Sequence, residues 1–218
     1  MDYAKHLIER IAVAPEHDRV GTLSNELLRE FHRGYPLDDL RQLLKSNDEQ
    51  LVAIAAWITS ELGANCRPLL PDVVPLLTHP MQRIRYWALD SLFWTLPQNG
   101  CDLAHAVRLL RDSEEGIRRK VLDLLFRLSN EQIEAAYQCK QEGVLESSLR
   151  DGLGWLLSAD SLVPTKVESV LRGRDSTLRK FGAVAAARLR KTHAEPLLYA
   201  STMDDADARE FAARVLRA

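Results

Sequence analysis

The sequence predicts an all-α protein, a right-handed solenoid of six to seven stacked helix pairs without strands. Three observations carry that prediction. A short pattern recurs at a nearly fixed step, with its second position at Val52, Arg85, Arg118, Arg150, Arg179 and Arg209, so the steps are 33, 33, 32, 29 and 30 residues. A period near 30 is that of one helix pair per repeat. Ala and Leu, strong helix formers, dominate a chain that is 46% hydrophobic and only 6% aromatic, and β-branched runs are scarce. Prolines at 68, 71, 75, 80, 97, 164 and 196 fall near segment ends, where helices tolerate or require them.

Residues 1–37 precede the clear repeats and read as an N-terminal cap or a degenerate copy. A looser copy over His17–Phe31 places apolar Val20, Leu23, Leu27 and Leu28 one residue out of register. The first helix of each later pair is expected at Asp38–Leu44, Val73–Leu77, Asp102–Leu110, Thr165–Leu171 and Glu195–Tyr199. The second helices carry the pattern, with Val52 and the five arginines as position zero. One residue before zero stand Leu51, Ile84, Ile117, Leu149, Leu178 and Ala208. Three after stand Ala55, Ala88, Val121, Leu153, Gly182 and Ala212. Seven after stand Thr59, Leu92, Leu125, Leu157, Ala186 and Leu216. At about 100° per residue these columns form one stripe about 80° wide, the expected buried face. Four before zero stand Asp48, Met81, Glu114, Glu146, Asp175 and Asp205, five of them acidic. Acids suit a helix start, where exposed N–H groups and the dipole favour negative charge. They also precede the arginines by four residues, the favourable order for a helical ion pair. The repeats are read together as one domain over residues 1–218.

The stretch Asp112-Ser-Glu-Glu-Gly-Ile117-Arg118 and the helix Leu51-Val-Ala-Ile-Ala-Ala-Trp-Ile-Thr-Ser-Glu-Leu-Gly63 resemble the HEAT-repeat family in its short bacterial form. The resemblance covers about residues 38–218. Val52 in place of arginine and an irregular insertion at Gln138–Leu145 depart from it. It implies that the Arg and Asp columns are structural ladders between repeats, and that second helices line a concave face.

Residues opposite the buried stripe would then face a partner. One after zero stand Ala53, Tyr86, Arg119, Asp151, Lys180 and Glu210. Five after stand Trp57, Asp90, Asp123, Trp155, Val184 and Arg214. Eight after stand Ser60, Phe93, Phe126, Ser158, Ala187 and Arg217. Nine after stand Glu61, Trp94, Arg127, Ala159, Arg188 and Ala218. Large aromatics gather here with charges, and Trp, Tyr and Arg dominate interface energetics. The candidate partner site is therefore Trp57, Tyr86, Asp90, Phe93, Trp94, Arg119, Asp123, Phe126, Arg127 and Trp155. Within it Tyr86 and Phe93 point most directly away from the core, and Trp94 lies nearest the core edge.

Composition narrows the function. Residues 1–100 carry 10 basic and 13 acidic groups and residues 101–218 carry 19 and 18, without the basic excess of a general nucleic-acid binder. Cys66, Cys101 and Cys139 form no C-x-x-C pair and read as free thiols in a reducing compartment, hence a cytoplasmic protein. The start lacks the layout of a signal peptide. The apolar run Leu51–Ile58 is far short of the ~20 residues that span a bilayer. The six histidines show no metal-ligand spacing, and no phosphate-binding or nucleophile motif occurs; Gly152-Leu-Gly154 lies inside a repeat helix, where small residues aid packing. No catalytic residue, cofactor or metal is expected. The favoured function is a non-enzymatic scaffold gripping one protein partner on its concave face. Its most concrete form is an immunity protein that neutralises a toxin domain. The alternative is a nucleic-acid-acting enzyme. HEAT-like DNA glycosylases place Trp and Asp in a concave cleft, as the column Trp57, Asp90, Asp123 and Trp155 could. Some short HEAT-like proteins are bilin lyases, a reading that nothing beyond the repeat supports.

Overall fold

Each residue four before repeat zero proves to be the N-cap of a second helix. In the computed structural model, which describes residues 2–13, 15 and 21–218, these helices are α4 (Glu49–Glu61), α6 (Gln82–Thr95), α8 (Glu115–Arg127), α10 (Ser147–Leu157), α12 (Ser176–Leu189) and α14 (Ala206–Arg217). The aspartates among the caps do the bonding. Asp48 accepts from the backbone N–H groups of Gln50 and Leu51, Asp175 from Thr177 and Leu178, and Asp205 from Ala208. Glu114 and Glu146, one methylene longer, make no such cap bond, and Glu146 instead pairs with Arg111. The described residues form fourteen α-helices and no strand.

The arginines have an equally regular task. Arg85, Arg118, Arg179 and Arg209 each use one guanidinium nitrogen to donate to the carbonyls six and five residues back. These are His79 and Pro80, Asp112 and Ser113, Gly173 and Arg174, and Met203 and Asp204. Those carbonyls lie in the turn between the two helices of a pair, so the arginine closes the turn and satisfies orphan acceptors. Arg150 does the same across the Gln138–Leu145 insertion, donating to Tyr137 and Cys139.

The chain divides into two units, Met1–Leu96 and Pro97–Ala218. In the first, α1 (Asp2–Val13) packs on α2 (Thr22–His32), and α3 (Asp38–Leu44) on α4. The looser early copy becomes α2, with Ser24, Leu27 and Phe31 buried while Leu23 and Leu28 are half-buried; His17 and Val20 lie outside the described residues. The helix expected at Val73–Leu77 is broken into a 3-10 turn, a four-residue α5 (Leu70–Val73) and another 3-10 turn. Pro68, Pro71 and Pro75 remove the N–H groups that a continuous helix would need. Asp72 of this segment is held by Arg41 at 2.9 Å and Lys45 at 2.8 Å. The unit ends where Leu96, in the left-handed region at φ 42°, closes α6 ahead of Pro97.

In the second unit the first helices are α7 (Gly100–Arg108), α9 (Asn130–Tyr137), α11 (Pro164–Leu171) and α13 (Glu195–Ala200). Helix α12 packs against α8, α10, α11, α13 and α14, and α8 also packs against α14. Phe181–Ala187 are all buried, as expected for a helix enclosed on every side. Gly152 of α10 permits part of this, because a Cβ there would come 2.1 Å from the Phe181 ring.

Most of the expected stripe is buried, Leu92 and Leu125 completely. Leu157 and Leu178 are half-buried, however, and Leu216, in the last turn of α14, is exposed. Conversely Ala53, Ser60, Val184 and Ala187, expected outward, are buried, because α4 and α12 are covered on more than one face. The reading of three free thiols is overturned. Packing of α7 on α9 brings the Cα atoms of Cys101 and Cys139 to 5.1 Å, and the two form a disulfide. Cys66 is the free cysteine; burial pushes its thiol up to about 11.

Candidate partner-binding site

The first unit presents its candidates along α6. Ile84, Ala88, Leu89 and Leu92 turn that helix inward. Tyr86, Asp90, Phe93 and Trp94 follow the i, i+4, i+7, i+8 spacing and so share the opposite side. Tyr86 is 39% exposed and Trp94 is 51% exposed, while Asp90 and Phe93 are half-buried. The two rings of Phe93 and Trp94 meet edge to face, with centroids 5.4 Å apart. This reverses the expected order: Trp94, placed by the helical wheel at the core edge, is the more exposed. A wheel fixes direction only, and burial also needs a neighbour to supply the other wall. Trp57, on the neighbouring α4, is half-buried.

In the second unit α14 meets the outward columns of α8. Arg119 pairs with Glu115 and, at 3.2 Å, with Glu210. Asp123 pairs with Arg214 at 2.8 Å; burial raises its carboxyl above the usual range, against the pull of Arg214 and Lys120. Phe126 lies edge-on to Phe211, with centroids 6.1 Å apart, and Arg190 stacks 5.0 Å above its ring. Arg127 is exposed and Trp155 half-buried. Arg119, Asp123 and Phe126 are thus engaged by the unit's own helices.

Below them sits a buried charge cluster. Asp207 accepts from Arg118 Nε at 2.7 Å and from Lys180 Nζ at 3.0 Å, tying α14 to α8 and α12. Burial alone would raise the Asp207 carboxyl, but the bonds from Arg118 and Lys180 hold it below the usual carboxylate range. Sequence spacing gave no signal for this cluster, since Arg118 and Asp207 stand 89 residues apart. Arg179 does reach an acid of the neighbouring repeat as expected, Asp205 at 3.3 Å.

Asp123, the acid of the Trp/Asp column in the second unit, is neutralised by Arg214. Among the described residues no group of His, Cys, Asp or Glu could hold a metal ion.

No family model and no curated protein matches the sequence. Solved structures do. An engineered protein is 17% identical, with a TM-score of 0.53 over 100% of this chain and 98% of its own. A designed armadillo repeat protein, solved in complex with the peptide (KR)4, is 14% identical with a TM-score of 0.53, covering 97% of each chain. At such identities the likeness establishes the fold: a helical repeat of the HEAT and armadillo kind.

Proposed function

We propose that this protein is a non-enzymatic scaffold that binds one protein partner, anchored on the Tyr86, Asp90, Phe93 and Trp94 stripe of α6 with Trp57 beside it. The observation that carries this reading is the exposure of Tyr86 and Trp94 along one helix side. Exposed aromatic rings along one helix side gain by being covered, and such rings are typical interface anchors. Neutralisation of a toxin domain, as by an immunity protein, is the most concrete form. No helix of the described residues is long and apolar enough to cross a membrane. A cytoplasmic setting no longer follows from the cysteines, since disulfides persist mainly in oxidising compartments.

The test is photo-crosslinking from position 86 or 94 in the native host, followed by titration of the captured protein. Truncating a well-packed aromatic at an interface centre costs ~2 kcal/mol or more, so Tyr86→Ala and Trp94→Ala should each weaken binding about thirtyfold. Equal affinity for wild type and the double variant places the site elsewhere. For the immunity form, co-expression with the captured protein should restore growth with wild type and fail with the double variant.

A further inference from the structure

Arg188 of α12 is a cation with no anion paired to it among the described residues. Its Nη2 donates to the carbonyls of Leu125 at 2.7 Å and Leu128 at 2.8 Å, at the end of α8, and its Nη1 reaches Asn130 Oδ1 at 3.4 Å. These bonds engage three of its five N–H donors. Every acceptor is neutral, and among the described residues no carboxylate pairs with the guanidinium. Burial pulls its pKa down with no opposing carboxylate. A half-buried charge compensated only by carbonyl dipoles is expensive, whereas Arg118 and Arg179 of the same unit each reach an aspartate.

Arg188 lines a recess of about 100 Å³, with Asn130, Leu157, Ser158, Ser161 and Leu162 among the other walls. The hydroxyl protons of Ser158 and Ser161 are spent on backbone carbonyls, and, among the described residues, Arg188 is the one charged member of the walls. Of the walls, Leu162 is 66% exposed, and Val163, next to it in sequence, is also exposed. A cavity of about 150 Å³ accepts benzene, so this one suits a carboxylate on one or two methylenes. A terminal residue would bring its backbone and side chain as well.

We infer that this recess is a docking pocket for an acidic side chain of a partner polypeptide, its carboxylate bound by Arg188 and a flanking apolar residue resting on Leu162 and Val163. The occupant is identified by charge complementarity and size. The pocket is independent of the α6 stripe, and either can fail without the other.

The probe is the peptide Ac-Leu-Glu-Leu-NH2, titrated into the full chain while the Arg188 Nε–H resonance and the Leu162 amide are followed by NMR. Both should shift saturably, and Ac-Leu-Gln-Leu-NH2 should bind at least about tenfold more weakly, because a charge-assisted bond is lost. Asn130→Asp supplies the missing carboxylate within the chain. It should keep the fold, hold or raise the melting temperature, and weaken the Glu peptide at least about tenfold. Leu162→Glu, at an exposed position, should weaken it similarly by repulsion. Equal binding of the Glu and Gln peptides overturns the proposal. So does no saturation below about 10 mM, the weak end for a single charged contact. Tighter binding of Ac-Leu-Leu-OH or of inorganic phosphate overturns the assignment to an acidic side chain.

Discussion

Asp207→Ala removes one 5% exposed carboxylate and leaves two cations behind it. Arg118 loses bonds of 2.7 and 3.3 Å, and Lys180 loses one of 3.0 Å. Breaking a buried ion pair from one side costs 3–5 kcal/mol. That figure is discounted here, because the side chains of Arg118 and Lys180 keep 22% and 12% of their exposure and Arg118 retains the carbonyls of Asp112 and Ser113. A loss of about 2–3 kcal/mol remains. Urea unfolding by circular dichroism measures it, with hydrogen exchange of α8 and α14 amides alongside, since repeat arrays depart from one cooperative transition. The pH dependence has a definite sign. The folded carboxyl sits below its unfolded value of about 3.9. Its stabilisation is therefore complete above the unfolded value and is lost as pH falls through the folded one. The gap between wild type and Asp207→Ala should shrink from pH 7 to pH 3. A cost under about 0.5 kcal/mol, or a gap that widens in acid, would refute the reasoning.

Leu125→Ala should cost about 3–5 kcal/mol and the half-buried Leu157→Ala under about 2, read from urea melts. Gly152→Ala drives a Cβ into the Phe181 ring and should destabilise by roughly 1–3 kcal/mol, whereas Gly116→Ala, with open space around its Cβ, should be neutral or slightly stabilising; thermal melts compare the two. Cys139→Ser opens a closure between residues 38 apart and should cost about 3–4 kcal/mol in the chain-entropy model, checked by melting wild type with and without reductant. Thiol titration of denatured protein from the native host should find one reactive group, Cys66; three would show the bond reduced there.

The repeat register was legible to the residue because local chemistry writes it. A helix start needs an acceptor for its exposed N–H groups, and Asp48, Asp175 and Asp205 supply one at the same offset from zero. Helix α9 was missed although its signal is present: Ser129 and Gln132 form a capping box just before its apolar residues. The disulfide and the Asp207 cluster were not legible, since each joins residues that only tertiary packing brings together. Exposure of Trp94 was misjudged for the same reason. Periodicity gives the direction of a side chain, and what stands opposite decides its burial.

The columns do record the packing of α14 on α8 once both helices are compared position by position. One after zero, α8 has Arg119 and α14 has Glu210, and they pair. Five after zero, α8 has Asp123 and α14 has Arg214, and they pair as well. Opposite charges at matching positions are what two helices need to lie side by side in register, so the sign reversal within a column marks a contact inside the unit. Arg119 and Asp123 are thereby paired within the unit. Aromatic positions follow the same logic, for Phe126 meets Phe211. On α6 the corresponding columns hold Tyr86 and Trp94, 39% and 51% exposed. A column of outward positions therefore gives the direction of its charges and rings, and the helix packed alongside decides which of them are paired within the unit.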